Sequence, residues 1–121
     1  MKRPRFASAI GLCIVLAACS RQDSVFSMSP AFEARTTATA SSVEACIASR
    51  WKSGTRGLSR VKREGAVRLR AQTFFKGVTI GVSVRKDAGK TLVEYFERRI
   101  AAPLYETMVR GCLHPDASDG S

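Results

Sequence analysis

Apolar residues recur at helical spacing in two segments of the chain. The first segment follows a serine N-cap, at residue 41 or 42, and ends at Gly54. The second spans residues 101–113, with Pro103 in its first turn. The apolar stripes are Val43, Cys46, Ile47 and Trp51 in the first segment, and Leu104, Met108, Val109, Cys112 and Leu113 in the second. The pattern therefore predicts two amphipathic helices, one on each side of the middle of the chain.

Between these helices, polar and apolar residues alternate in three segments. Residues 65–71, 77–85 and 91–97 show the period of two that is typical of strands with one buried face. Residues 85–90 are predicted to form the turn between the last two strands, and the glycine- and arginine-rich residues 53–60 to form a loop. The expected fold class is α+β: an α-β-β-β-α domain, with a three-stranded antiparallel sheet and both helices packed on one face.

The first 20 residues follow a different pattern. Lys2, Arg3 and Arg5 give a positive start without acidic residues, and residues 6–18 are apolar or small. This run is too short for a permanent membrane-spanning helix, which needs about 20 residues. It closes with the tetrapeptide Leu16-Ala17-Ala18-Cys19: an aliphatic residue, two small residues and a cysteine.

This segment resembles the signal peptide of bacterial lipoproteins, in which such a tetrapeptide is the lipobox. The resemblance implies that residues 1–18 are removed and that Cys19 carries several fatty acyl chains, which together form a stable membrane anchor. It also implies a place in the cell envelope, and Ser20 favours the outer membrane, facing the periplasm. The part after Cys19 is similar to small envelope lipoproteins of Gram-negative bacteria. The alternatives are an ordinary signal peptide with a chance cysteine and an uncleaved short anchor.

The rest of the chain is long enough for one small domain. Residues 19–40 are rich in serine, threonine and alanine without a sustained period, and we interpret them as the lipidated N-terminus and a flexible tether. Residues 41–113 are expected to form the globular domain. Residues 114–121 contain proline, aspartate and glycine and are expected to be a disordered tail.

Two cysteines, Cys46 and Cys112, remain beside Cys19 after cleavage. Both lie on the apolar stripes of the predicted helices, and an exported protein folds in an oxidising compartment. We therefore predict a disulfide between the two helices, worth roughly 4 kcal/mol of stability in the chain-entropy model. The alternative is a pair of free buried thiols.

The chain is strongly basic, with a net charge of +10. Such a charge attracts anionic partners: acidic lipid, lipopolysaccharide or peptidoglycan. Nucleic acid is not expected for an exported protein. The candidate anion-binding residues are Arg56, Arg60, Arg63, Arg68 and Arg70. The alternative is that these arginines form only a solvated face.

Signals for catalysis are weak. The single histidine, His114, lies in the predicted tail, and four zinc ligands cannot be assembled. Gly89-Lys90-Thr91 imitates the end of a phosphate-binding loop, but a strand rather than a helix is predicted to follow, so no nucleotide is expected. Glu94, Glu97 and Glu106 are the candidate carboxylates. Glu94 and Glu97 are expected to pair with Arg98, Arg99 or an arginine of a neighbouring strand. We predict no catalytic residue, metal or cofactor.

These observations predict a membrane-anchored, periplasm-facing lipoprotein with a structural or protein-interaction role, and not an enzyme. The alternative is a basic module that binds anionic envelope material through the arginine patch. An envelope protein partner fits the first function, and an anionic envelope polymer fits the second.

Overall fold

The structure is a computed structural model, and it describes residues 25–114. Its elements follow the order β-α-β-β-β-β-α. They are β1 (Phe32–Thr36), α1 (Ala40–Gly54), β2 (Thr55–Arg63), β3 (Ala66–Thr73), β4 (Thr79–Asp87), β5 (Lys90–Glu97) and α2 (Pro103–Arg110). The lipobox, the lipidation candidate Cys19 and residues 115–121 lie outside the described residues.

The prediction of an α-β-β-β-α domain with a three-stranded sheet is wrong. All five strands form one antiparallel sheet in the order β1-β5-β4-β3-β2. The three predicted strands correspond to β3, β4 and β5 in the middle of this sheet, and β1 and β2 add a strand at each edge.

Strand β2 occupies most of the segment that was expected to be a loop. Strand β2 lies at an edge of the sheet and carries many charged side chains. Charged side chains on an edge strand oppose its pairing with other chains. Glycine at position 57, with a φ of +63°, accompanies an irregularity in the β2–β3 register between Arg56 and Ser59. Charge, glycine and this irregularity together hide the period of two.

Strand β1 lies within the predicted tether. It has only five residues, and its alternation of Phe32, Ala34 and Thr36 with charged residues is too short to stand out. Its pairing with β5 makes it part of the sheet, and the Thr36 hydroxyl also donates a hydrogen bond to the carbonyl oxygen of Leu113. The folded domain therefore begins earlier than the predicted boundary at residue 41.

The predicted disulfide is confirmed. Cys46 of α1 and Cys112, just after α2, are bonded, with their Cα atoms 5.7 Å apart. Helix α1 begins earlier than expected, because Thr39 is its N-cap and the Thr39 hydroxyl accepts a hydrogen bond from the amide of Ser42 at 3.2 Å. Helix α2 is shorter than predicted.

The main core unites both helices with the face of the sheet that carries Leu69, Val82 and Tyr95, which we call the helix face. Trp51 of α1 is fully buried there, and its ring meets the Tyr95 ring edge to face, with centroids 6.3 Å apart. Burial raises the pKa of the Tyr95 hydroxyl. Tyr95 thus stays neutral at the centre of the core.

The opposite face of the sheet, which carries Arg68, Ser83 and Glu94, is the back face. Val25 and Phe26 lie across it: the Phe26 ring contacts Phe96 edge to face, with centroids 5.4 Å apart. Gly81 makes this possible, because a Cβ at this position would lie 2.7 Å from Cε1 of Phe26. The segment before β1 is therefore fixed to the middle of the sheet.

The sheet has two unlike ends. At the first, the hairpin end, two-residue turns join β2 to β3 and β4 to β5. Their central residues are Glu64-Gly65 and Ala88-Gly89, and all four have a positive φ, as a type I′ turn requires. At the opposite end, which we call the aromatic end, residues 74–78 join β3 to β4, and residues 98–102 lead from β5 to α2.

Candidate functional site

Basic side chains gather around two cavities at the hairpin end. The first cavity lies on the back face and has a volume of about 400 Å³. Arg63, Arg68 and Arg85 line it, together with Glu64 and Glu94. Three neighbouring strands supply these arginines, because the register places Arg63 opposite Ala66 and Ala66 opposite Arg85.

The second cavity lies on the helix side of the same end, with a volume of about 1030 Å³. It opens between the start of α1 and the two hairpin turns, and its basic side chains are Lys62, Lys86 and Lys90, together with Arg85 at its border with the first cavity. Glu44 and Glu64 are its acidic residues. We call the basic residues of both cavities the hairpin-end surface: Lys62, Arg63, Arg68, Arg85, Lys86 and Lys90.

The charge balance of these linings is positive. Six basic and three acidic side chains line the two cavities. Two of the acids also have arginine partners: Glu44 is bound by Arg60, and Oε1 of Glu94 lies 4.0 Å from Nε of Arg85. Nε of Arg68 is buried without a hydrogen-bond partner among the described residues. The hairpin end can therefore bind anions such as carboxylate or phosphate groups through arginine forks.

The five arginines singled out from the sequence do not form one surface. Arg63 and Arg68 line the back-face cavity, and Arg70 also lies on the back face, opposite Gly81. Arg60 lies on the helix face, where it binds Glu44. Arg56 lies at the aromatic end, with its Nη2 near Gly77. The structure therefore brings together two of the five in the cavity.

The anion-binding candidates from the sequence did not include Lys62, Arg85, Lys86 and Lys90. The signal that finds them is Gly65, because a glycine between two strand segments can supply the positive φ that a two-residue hairpin turn requires. Once this turn is recognised, β2 pairs with β3, and the residues flanking both hairpin turns must meet at one end of the sheet.

The remaining candidates for chemistry have structural roles. Gly89 is followed directly by strand β5, which begins at Lys90. Thr91 lies in this strand, and its hydroxyl donates a hydrogen bond to the carbonyl oxygen of Ala38 at 2.6 Å. Glu97 accepts a hydrogen bond from the amide of Ala101, and Glu106 pairs with Arg110. His114 is exposed at the last described position.

Within residues 25–114, no three histidine, cysteine, aspartate or glutamate residues are grouped as metal ligands would be. In the same part of the chain, no helix has the length and apolar character needed to span a membrane. Comparison of the chain with protein-family models, with curated proteins and with solved structures gave no match.

Proposed function

We propose that this chain is a bacterial envelope lipoprotein, held in the membrane through Cys19, whose domain has a structural or protein-interaction role and no catalytic one. The observation that carries the proposal is the sequence Leu16-Ala17-Ala18-Cys19 after a basic start and a short apolar run. The Cys46–Cys112 disulfide supports it, because disulfides persist in the oxidising periplasm and are rare in the cytosol. Outer-membrane placement, facing the periplasm, follows from Ser20 as part of the same proposal.

The anchor is tested with two leader variants in a host that processes lipoproteins. In the wild-type protein, mass spectrometry of the mature N-terminus should find acyl chains on Cys19. Cys19→Ala should abolish this mass and leave the protein unlipidated and either uncleaved or mislocalised. Cys13→Ala is the matched control, because this second leader cysteine lies outside the lipobox and its loss should leave lipidation unchanged. Wild-type protein without an acyl mass on Cys19 would refute the anchor.

A second function is supported by the hairpin-end surface: binding of anionic envelope material, either peptidoglycan or lipopolysaccharide. The back-face cavity places three arginines on neighbouring strands, and the guanidinium group can form paired hydrogen bonds with carboxylate or phosphate. The Nε of Arg68, buried without a hydrogen-bond partner among residues 25–114, adds a donor beside this cavity.

The binding test uses the detergent-solubilised protein, with peptidoglycan sedimentation and lipopolysaccharide binding as separate arms. The triple variant Arg63→Gln, Arg68→Gln, Arg85→Gln should weaken binding by about tenfold or more, because charge-assisted hydrogen bonds contribute roughly 1.5–3 kcal/mol each. The control Lys52→Gln, Arg56→Gln, Arg60→Gln removes the same charge from outside the cavity and should retain most of the affinity.

Salt provides a second check on the same binding. The Debye length falls from about 10 Å at 0.1 M to about 3 Å at 1 M, so affinity should drop over this range. Equal losses in the two triple variants would show that only net charge matters. Binding that survives both the cavity variant and high salt, or no binding of the wild type in either arm, would exclude the hairpin-end surface as an anion site.

A further inference from the structure

Large apolar side chains are exposed mainly at the aromatic end. Six are exposed within residues 25–114, and four of them lie at or beside this end. The two in the β3–β4 connection are Phe74, 55% exposed, and Phe75, 78% exposed. The two after β5 are Ile100, 95% exposed, and Leu104 at the start of α2. A soluble domain gains nothing from exposing such residues together, so a covering partner is expected.

Basic residues adjoin the exposed apolar residues in both loops. Phe74 and Phe75 precede Lys76, whose Nζ lies 5.6 Å from the centroid of the Phe75 ring. Ile100 follows Arg98 and Arg99. The amide of Arg98 donates to the carbonyl oxygen of Thr79 at 2.9 Å, which fixes the two loops side by side.

A shallow cavity of about 330 Å³ joins the two loops. Its basic residues are Lys76, Arg98 and Arg99, and no acidic residue is among its described lining residues. The combination of aromatic and aliphatic side chains with positive charge is typical of protein surfaces that enter the interface of an anionic bilayer.

The position of Val25 favours a membrane over another occupant. Val25, the first described residue, lies against Gly81, two positions along β4 from Thr79 at the aromatic end. The six residues from Cys19 to Val25 span about 20 Å at most when fully extended. A lipid on Cys19 therefore keeps this part of the sheet within reach of the bilayer surface.

We propose that the aromatic end is a second membrane contact. In this arrangement Phe74, Phe75 and Ile100 enter the interfacial region of the bilayer, while Lys76, Arg98 and Arg99 meet the phosphates of anionic lipids. The proposal rests on the proposed lipid anchor at Cys19 and adds to it, because a short chain anchored at one point leaves the orientation of the domain open. Two contacts would hold the sheet upright, with the hairpin-end surface about 30 Å from the membrane across the nine residues of β4.

The test uses the lipidated protein in vesicles of phosphatidylethanolamine and phosphatidylglycerol that contain brominated lipid, which quenches nearby tryptophan. The reporter is the tryptophan introduced by Phe75→Trp. The natural Trp51 is fully buried, and the wild-type protein gives the background fluorescence of Trp51. Emission of the new tryptophan should shift to the blue and be quenched by more than about half, because interfacial side chains lie about 5–10 Å deep. Val61→Trp is the matched control: Val61 is exposed on β2, away from the aromatic end, and its reporter should remain unquenched.

The charge component is tested by adding Lys76→Gln, Arg98→Gln and Arg99→Gln to the Phe75→Trp protein. Quenching should fall, and it should fall similarly when neutral phosphatidylcholine replaces the anionic lipid. Sedimentation with the vesicles should persist in every case, because the acyl chains still anchor the protein.

Each failure has its own signature. Protein that carries no lipid and does not sediment would refute the proposed anchor. Protein that is lipidated and sediments, but whose tryptophan at position 75 is as unquenched as the one at position 61, would overturn the second contact alone. A blue-shifted reporter without vesicles, together with a dimer in light scattering, would assign the aromatic end to self-association and would also overturn it.

Discussion

Removing the disulfide between Cys46 and Cys112 is expected to lower the free energy of unfolding by about 4 kcal/mol. The bridge joins residues 66 positions apart, so it restricts the unfolded chain far more than a local link would. Domains of this size have a total stability of only about 5–15 kcal/mol. In the double variant Cys46→Ala, Cys112→Ala, the melting temperature should therefore fall by at least about 15 °C, taking about 4–8 °C per kcal/mol.

The measurement is a thermal melt followed by circular dichroism, with urea unfolding for the free energy. Wild-type protein in a reducing agent is the control, because it loses the bridge without a change of sequence. It should melt close to the double variant and show two titratable thiols. Equal melting temperatures for the oxidised and reduced wild type would show that helix packing alone holds α1 to α2.

The middle of the fold is predictable from the sequence because its strands are buried on the helix face. Val82 and Val84 alternate with small or polar residues in β4, and the same period continues in β5. Helix α1 is predictable because its stripe must face the core: Trp51 and Cys46 are both buried. In these elements the hydrophobic period and the tertiary contact have the same cause.

The edge strands β1 and β2 could not be predicted from the local sequence pattern. Strand β2 has one neighbour, and its charged residues protect its free edge, so selection for solubility masks the strand pattern. Strand β1 is held by pairing with β5 and by contacts from distant residues, such as the guanidinium of Arg110, which lies 3.9 Å from the centroid of the Phe32 ring. A local pattern does not contain such long-range contacts.

The candidate site depends on register, which composition leaves open. Arg60 and Arg63 are three positions apart in one strand, so they point to opposite faces of the sheet. Arg60 therefore meets Glu44 of α1, whereas Arg63 lines the back-face cavity. A basic segment in the sequence shows that positive charge is present, and only the pairing of the strands shows where it gathers.

Replacing Trp51 is the second change with a large expected effect. Trp51 is fully buried and is the largest side chain in the core, where it packs edge to face against Tyr95. Trp51→Ala should lower the free energy of unfolding by about 3–5 kcal/mol, because the removed ring leaves a cavity that its neighbours fill only in part. Urea unfolding followed by far-UV circular dichroism measures this loss without the tryptophan signal.

Trp51→Phe separates packing from polarity in the same position. The indole nitrogen of Trp51 has no hydrogen-bond partner among the described residues, so its removal breaks no bond within residues 25–114. Phenylalanine keeps an aromatic ring against Tyr95 and should therefore cost only about 1–2 kcal/mol. Equal destabilisation by Phe and Ala would show that a phenyl ring does not recover the packing of the indole against Tyr95.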